Sequence, residues 1–273
     1  MENHKKQLHI RLDMELYKKL KVKCAYDSTS IQDSVGRAIE SMVKYPLGQS
    51  NNQDESGKLE ILTLLQQCPI FYGIDKCELE SLARAAVILN FSKGMVIERE
   101  GEMTTSFHII KDGIVKVFKT APSGKEFIID VRYKGEIFGE AAALKGILHC
   151  ASTQALQNTS VVNIERSDFL DFMARNPVIA QRIAYLEFDK IYKLYESLMD
   201  LVASNAHQRL IKLLCRLGHK YGNTLRFTHQ EIAEMSGTTV ETTTRVLTQL
   251  KKSSVLRLTR GSVTIIDEEK LRP

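Results

Sequence analysis

Residues 227–250, FTHQEIAEMSGTTVETTTRVLTQL, constrain the fold of this 273-residue chain more tightly than any other stretch. Thr228 and Glu231 have the Thr-x-x-Glu spacing of a capping box, in which a hydroxyl and a carboxylate satisfy the free amides at a helix start. The spacing predicts a short helix with Ile232, Ala233 and Met235 on its apolar face. Ser236-Gly237-Thr238 interrupts the run, and Gly237 supplies the backbone freedom of a sharp turn. Thr238 and Glu241 repeat the capping spacing and start a second helix. Thr243, Val246, Leu247 and Leu250 recur at i, i+3, i+4 and i+7 and should face inward. Val240, Glu241, Thr244, Arg245 and Thr248 then face the other way.

Two helices around a tight turn, with the outward row near the start of the second, suit a DNA major groove. Arg245 can pair bidentately with a guanine, and Glu241 can accept from a cytosine amino group. Thr244 and Val240 can touch thymine methyls. Thr248, and Thr228 and Gln230 at the start of the first helix, complete the candidate DNA contacts. An ordinary reading stands beside this one: Glu241 closes a cap and Arg245 is a solvated charge. The flanks favour the first. Residues 208–217 (QRLIKLLCRL) read as an amphipathic helix, and residues 255–266 read as a hairpin turning at Arg260-Gly261-Ser262. Helix, helix-turn-helix and hairpin together make a winged helix.

The charge distribution points the same way. Residues 1–46 carry 9 Lys/Arg against 6 Asp/Glu, and residues 207–273 carry 12 against 6, whereas residues 47–206 carry 17 against 21. Two basic ends flank an acidic middle, which suits nucleic-acid contact at the ends. No apolar run is long enough to span a bilayer, and the polar N-terminus argues against a signal peptide. Five scattered cysteines (24, 68, 77, 150 and 215) fit reduced thiols in a cytoplasm.

The middle of the chain changes character twice. Residues 47–58 are polar and read as a linker. Helical patterns follow at 58–67 and 75–86. Between Val87 and Glu165 the runs VILNF, MVIER, SFHIIK, IVKVFK, EFIIDVRY and VVNIE alternate with glycine-marked turns, which predicts a compact all-β roll. After Pro177 a helical pattern extends to about residue 205. Ala180, Ala184, Glu187, Ile191, Leu194, Leu198 and Leu201 step along it as a heptad seam, leaving Ile183, Leu186, Phe188 and Tyr195 to cover the roll. A homodimer helix is the preferred reading, and a single helix lying on its own roll is the alternative.

A strand roll, a long helix and a winged helix in this order resemble the Crp–Fnr family of bacterial transcription regulators. The resemblance spans residues 59–273. It is carried by Phe138-Gly139-Glu140 after Lys134-Gly135, by the long helix, and by Gln230-Glu231-Ile232-Ala233 through Val240-Glu241-Thr242-Thr243-Thr244-Arg245. The last stretch resembles the Fnr branch, with its Val-Glu-x-x-Ser-Arg, more than the cyclic-AMP receptor branch. The likeness implies half-sites related to TTGA, a palindromic double-stranded target and RNA polymerase as a further candidate partner.

The same likeness implies an effector pocket formed by Phe138, Gly139, Glu140, His149, Cys150, Ala151 and Ser152, with Leu194 and Tyr195 from the long helix. Where cyclic-nucleotide binders carry Arg-Ser, this chain has Cys150-Ala151, and no arginine occurs from Tyr133 to Ile164. A buried phosphate would lack its charge-assisted partner, so cyclic AMP is expected to bind weakly or not at all. An iron–sulfur cluster is disfavoured because no C-x-x-C occurs. His149-Cys150 admits a haem or thiol-redox reading, with a pocket-lining or surface pair as the ordinary alternative. His108 reads as structural.

Residues 1–46 lie outside that family's usual plan. Gln7 to Leu12 alternates polar and apolar like one strand, residues 14–25 read as a helix, and Ser30 caps a second helix running to about residue 44. This resembles a ribbon-helix-helix module of the Arc/MetJ/CopG type. The likeness implies pairing with a second copy through residues 7–44. It also implies outward Gln7, His9 and Arg11 in a major groove, and a phosphate near Ser30. A dimerisation or protein-contact module is the alternative.

The expected fold class is therefore α+β: an N-terminal ribbon-helix-helix (1–46), a linker (47–58) and a jelly-roll-like β-roll (59–176). A dimerisation helix (177–206) and a winged helix-turn-helix (207–273) follow. The expected function is a cytoplasmic, homodimeric DNA-binding regulator gated by a small effector other than cyclic AMP. An effector-independent architectural or scaffold protein is the competing reading. No nucleophile–base pair, metal cluster or phosphate loop is recognisable, so neither an enzyme nor a metal site is expected.

Overall fold

The computed structural model describes residues 13–26, 30–32, 35, 49–50, 55–103 and 106–271. The chain divides into two compact units, Met1–Leu47 and Gly48–Pro273. In the first, helix α1 (Met14–Tyr26) buries Cys24. Ile31, Gln32 and Val35 are helical, and Ser30 just before them is exposed. The ribbon expected through Gln7, His9 and Arg11 lies outside the described residues.

The second unit begins with β1 (Gln49–Ser50), which pairs antiparallel with Asn90 and Leu89 of β2 (Val87–Phe91). Helix α2 (Glu55–Gln67) follows, then α3 (Lys76–Ala85). The linker expected over 47–58 is thus partly built into the fold. Its polar composition hides an edge strand that contributes backbone hydrogen bonds, together with the first turn of a helix. Helix α3 starts on Asp75, whose carboxylate accepts from the Cys77 amide at 2.8 Å and so satisfies a free N–H of the first turn.

The predicted strand runs become β2, β3 (Val96–Glu98), β4 (Ser106–Asp112), β5 (Ile114–Thr120), β6 (Glu126–Tyr133) and β9 (Thr159–Glu165). Two further strands, β7 (Ile137–Phe138) and β8 (Ser152–Ala155), join them. They form two antiparallel sheets, ordered β1-β2-β9-β4-β7 and β3-β8-β5-β6. Helix α4 (Glu140–Lys145) sits between β7 and β8. Helices α2, α3 and α5 (Arg166–Arg175) cover the first sheet through a core that includes a Phe107–Phe169 stack at 3.9 Å and an edge-on Phe71–Phe172 pair at 5.7 Å.

Helix α6 (Val178–Ala203), about 40 Å long at the usual rise per residue, buries only Ile179 and Ile183. Leu186 packs partly against the roll core. Phe188 and Tyr195, expected to cover the roll, instead face solvent at 66% and 63% exposure. Tyr185, Phe188, Tyr192, Tyr195, Met199 and Val202 step by 3, 4, 3, 4 and 3, and all are exposed. The most exposed heptad row is therefore displaced by one position from the expected one. The roll takes the Ile179–Ile183–Leu186 face, and the bulky aromatics fall on the far side.

Helix α7 (Ala206–Tyr221) starts with a reciprocal capping box between Asn205 and Gln208. Its face of Leu210, Leu213, Leu214 and Leu217 joins Ile114, Phe118, Ile128 and Val131 of the roll in one apolar cluster. Beyond it come β10 (Thr224–Leu225), α8 (His229–Ser236), α9 (Val240–Lys252), β11 (Leu256–Thr259) and β12 (Ser262–Ile265). The predicted hairpin gains β10 as a third strand, in the order β10-β12-β11. Among the described residues no helix is long and apolar enough to cross a membrane.

Candidate nucleic-acid interface and roll pocket

The helix-turn-helix is fixed by hydroxyl chemistry. Thr228 and Glu231 form the reciprocal box that the sequence predicts, with the Thr228 amide donating to Glu231 at 2.6 Å. Gly237 closes α8 in the left-handed region at φ +64°, where a Cβ would also come within 3.1 Å of Leu201 on α6. The second cap differs from expectation. Thr239, not Thr238, caps α9 by accepting from the Thr242 amide at 3.1 Å. The Thr238 hydroxyl is already engaged inside the turn, 2.9 Å from Ser236 Oγ and 2.8 Å from the fully buried Thr243 Oγ1.

Thr243, Val246, Leu247 and Leu250 are buried. Val240, Glu241, Thr244, Arg245 and Thr248 are exposed along the opposite face of α9. Gln230 is exposed and half-buried Thr228 lies two residues before it, both at the start of α8. Gln230 donates to Glu234 at 2.6 Å. Arg209 braces the turn: its guanidinium donates to the carbonyls of Ser204 at 2.8 Å, Ser236 at 3.0 Å and Gly237 at 3.4 Å.

The module is docked on the roll. The Tyr133 and Tyr221 rings stack at 3.5 Å, and the Tyr221 hydroxyl donates to the Val131 carbonyl at 2.8 Å. Burial, and then the Glu136 carboxylate, push both phenols upward. Lys116, buried on β5, pairs with Glu126 and lies 4.0 Å from buried Glu234 on α8.

The roll buries charges that the sequence does not announce. Glu98, on β3, is buried, with Oε1 3.3 Å from His108 Nε2 and 3.6 Å from His149 Nε2. Neither contact is aligned as a hydrogen bond, and His108 Nδ1 also lacks a partner. The His108 ring stacks on Phe138 at 4.7 Å. Gly139, at φ +78°, passes so close that a Cβ there would meet Glu98 Oε1 at 2.5 Å. Glu140 is 5% exposed, and Lys190 of α6 occupies its carboxylate while also pairing with Glu187 at 2.6 Å. Burial brings the Lys190 amine down to about 7, with the Arg132 charge as a second push and Asp130 and Glu136 opposing. Burial raises Glu187.

Of the expected effector residues, Phe138, Gly139 and His149 gather around Glu98 and His108, whereas Glu140 is buried against Lys190. Ala151 is buried, Ser152 is half-buried and holds the Glu100 amide at 3.0 Å, and Cys150 is exposed. Leu194 and Tyr195 do not join them, since both project outward from α6 at 49% and 63% exposure. Glu98 and Lys190 were not foreseen. Nothing in the run Val96-Ile97-Glu98 marks Glu98 as inward, and its partners 10 and 51 residues away left no local pattern. Among the described residues no group of three or more His, Cys, Asp or Glu is arranged to hold a metal ion.

Comparison with known proteins accounts for both halves. The family model of a cyclic nucleotide-binding domain matches residues 88–176, and that of a Crp-like helix-turn-helix domain matches residues 208–273. The CRP-like cAMP-activated global transcriptional regulator of Mycobacterium tuberculosis is 26% identical over 216 residues, covering 76% of this chain and 96% of that protein. The cyclic AMP receptor protein of Thermus thermophilus is 27% identical, covering 72% and 92%. The solved structure of FixK2 from Bradyrhizobium japonicum shares the fold, with a TM-score of 0.63 at 19% identity over 68% of this chain and 95% of that one.

Proposed function

Because the chain belongs to the Crp–Fnr family of transcription regulators, we propose that it acts as a cytoplasmic homodimer reading a palindromic duplex through α9. The observation that carries this reading is the exposed row Val240, Glu241, Thr244, Arg245 and Thr248 on a helix whose other face is locked in the core. Arg245 is assigned to a guanine, Glu241 to a cytosine amino group, and Thr244 and Val240 to thymine methyls. The exposed heptad row on α6 supports self-association, since large contiguous apolar surfaces mark interaction sites. RNA polymerase is a further partner of this reading. Residues 1–46 are assigned to a second DNA-contacting or pairing module, on the alternation through Gln7, His9 and Arg11 and the exposed Ser30.

The effector is assigned to a class other than cyclic AMP. Cys150-Ala151 supplies no cation, and the buried Glu98 carboxylate would repel a phosphate in a medium that screens charge poorly. An effector-independent role is the second reading. It is favoured by one observation: the chain's own Lys190 already occupies Glu140, so any ligand there must displace it.

Gel shifts at fixed salt test the DNA reading. A palindrome of TTGA half-sites is expected to be retained, and Arg245→Ala should weaken binding about tenfold or more, the worth of one bidentate base contact. If changing the G of the half-site has no effect while Arg245→Ala still abolishes binding, the guanine assignment fails. Calorimetry with cyclic AMP is expected to show no micromolar binding, and a micromolar affinity would overturn the pocket reading.

A further inference from the structure

His229 opens α8, and its ring crosses the turn to α9, where Nδ1 lies 2.9 Å from Thr244 Oγ1. Thr244 belongs to the exposed row, next to Arg245 and three residues beyond Glu241. A threonine hydroxyl left to itself rotates between one donor direction and two acceptor lone pairs. Here its orientation is tied to a ring held by the capped start of another helix.

We propose that His229 is a positioning residue for DNA reading, which sets whether Thr244 presents a donor or an acceptor to the base edge it faces. When Nδ1 carries the hydrogen, it donates to Oγ1 and the Thr244 O–H is free to donate outward. When Nδ1 is bare, it accepts from Thr244, and only oxygen lone pairs face outward. The major groove distinguishes these two states, because thymine O4, guanine O6 and purine N7 accept whereas adenine and cytosine amino groups donate. The same side chain would still touch a thymine methyl, so His229 adds a polar preference to an apolar contact. The inference rests on the reading of α9 as the recognition helix.

The test is a competition series with the full chain and duplexes substituted at each half-site position, using His229→Ala, His229→Asn, Thr244→Val and the His229→Ala/Thr244→Val pair. Asparagine is chosen because its amide can donate or accept near the place of Nδ1. His229→Ala should relax discrimination at one base position by about fivefold, the worth of one neutral hydrogen bond. Affinity for a non-specific duplex and its salt dependence should stay unchanged, and His229→Asn should restore the preference. Thr244→Val should remove the same preference, and the pair should lose no more than Thr244→Val alone. A His229→Ala variant that weakens every duplex equally and lowers the salt slope by about one marks a phosphate contact, which overturns the proposal. If Thr244→Val relaxes discrimination and His229→Ala does not, the positioning role alone fails. If Thr244→Val alters no position, the reading of Thr244 fails and the inference falls with it.

Discussion

Replacing Tyr192 and Tyr195 together by glutamate is expected to leave a folded monomer that binds a palindromic duplex more weakly by a factor on the order of 10²–10⁴. The two rings are 71% and 63% exposed, so removing them opens no cavity in the chain's own core. They stand at consecutive a- and d-type positions of the row that runs from Tyr185 to Val202. In a two-fold pair this row meets its own copy, and the variant would set four carboxylates across one seam. Each winged helix then meets its half-site without the other's help, so the advantage of simultaneous engagement is lost. Sedimentation of the free protein and gel shifts on full and half palindromes check both parts. A variant that stays dimeric would move the seam to the neighbouring row of Ile191, Leu194, Leu198 and Leu201.

The second large effect is expected inside the chain. Lys116→Met should lower the stability of the docked structure by about 3–5 kcal/mol, the usual cost of removing one partner from a buried ion pair. Lys116 is buried on the roll, packs over the Phe118 ring at 4.3 Å and balances Glu234 of α8 from 4.0 Å. Methionine keeps the apolar stem but leaves the Glu234 carboxylate buried without its cation, while Glu126, the closer partner, is partly exposed and can turn to water. Adding Glu234→Gln to Lys116→Met should recover most of the loss, because the amide can keep a hydrogen bond with Gln230 and carries no charge. Thermal unfolding of the single and double variants measures this, with a single-variant shift on the order of 10 °C. If the double variant is as unstable as Lys116→Met alone, the pair does not hold the winged helix to the roll.

The winged helix, the roll and the long helix differ in how far the sequence disclosed them. The recognition face of α9 was legible because its signal is local: apolar residues at helical spacing, a cap at Thr228 and a glycine at the turn. The second cap was not, because Thr238 and Thr239 are equivalent as letters. Only contacts with Ser236 and Thr243 decide that one hydroxyl turns inward and the other caps. The roll was legible from its six runs, whereas β7 and β8 were too short or too polar to stand out. On α6 two adjacent heptad rows are both apolar, and the alphabet cannot say which one the roll will take. Glu98 and Lys190 were hidden for a related reason. A charged residue in a strand or on a helix reads as surface until its distant partners are in place.

Arg209 links the long helix mechanically to the helix-turn-helix. Its guanidinium holds the carbonyl at the end of α6 and the two carbonyls of the helix-turn-helix bend at once, and Gly237 lets that bend pass close to Leu201. The joint between shaft and reading head is therefore tied at three carbonyls. Rotation of one long helix against its partner would be carried through these bonds to the tip, like a dial fixed to its spindle. The gauge between half-sites would then be written in the seam of α6, and the helices that touch the bases would inherit it.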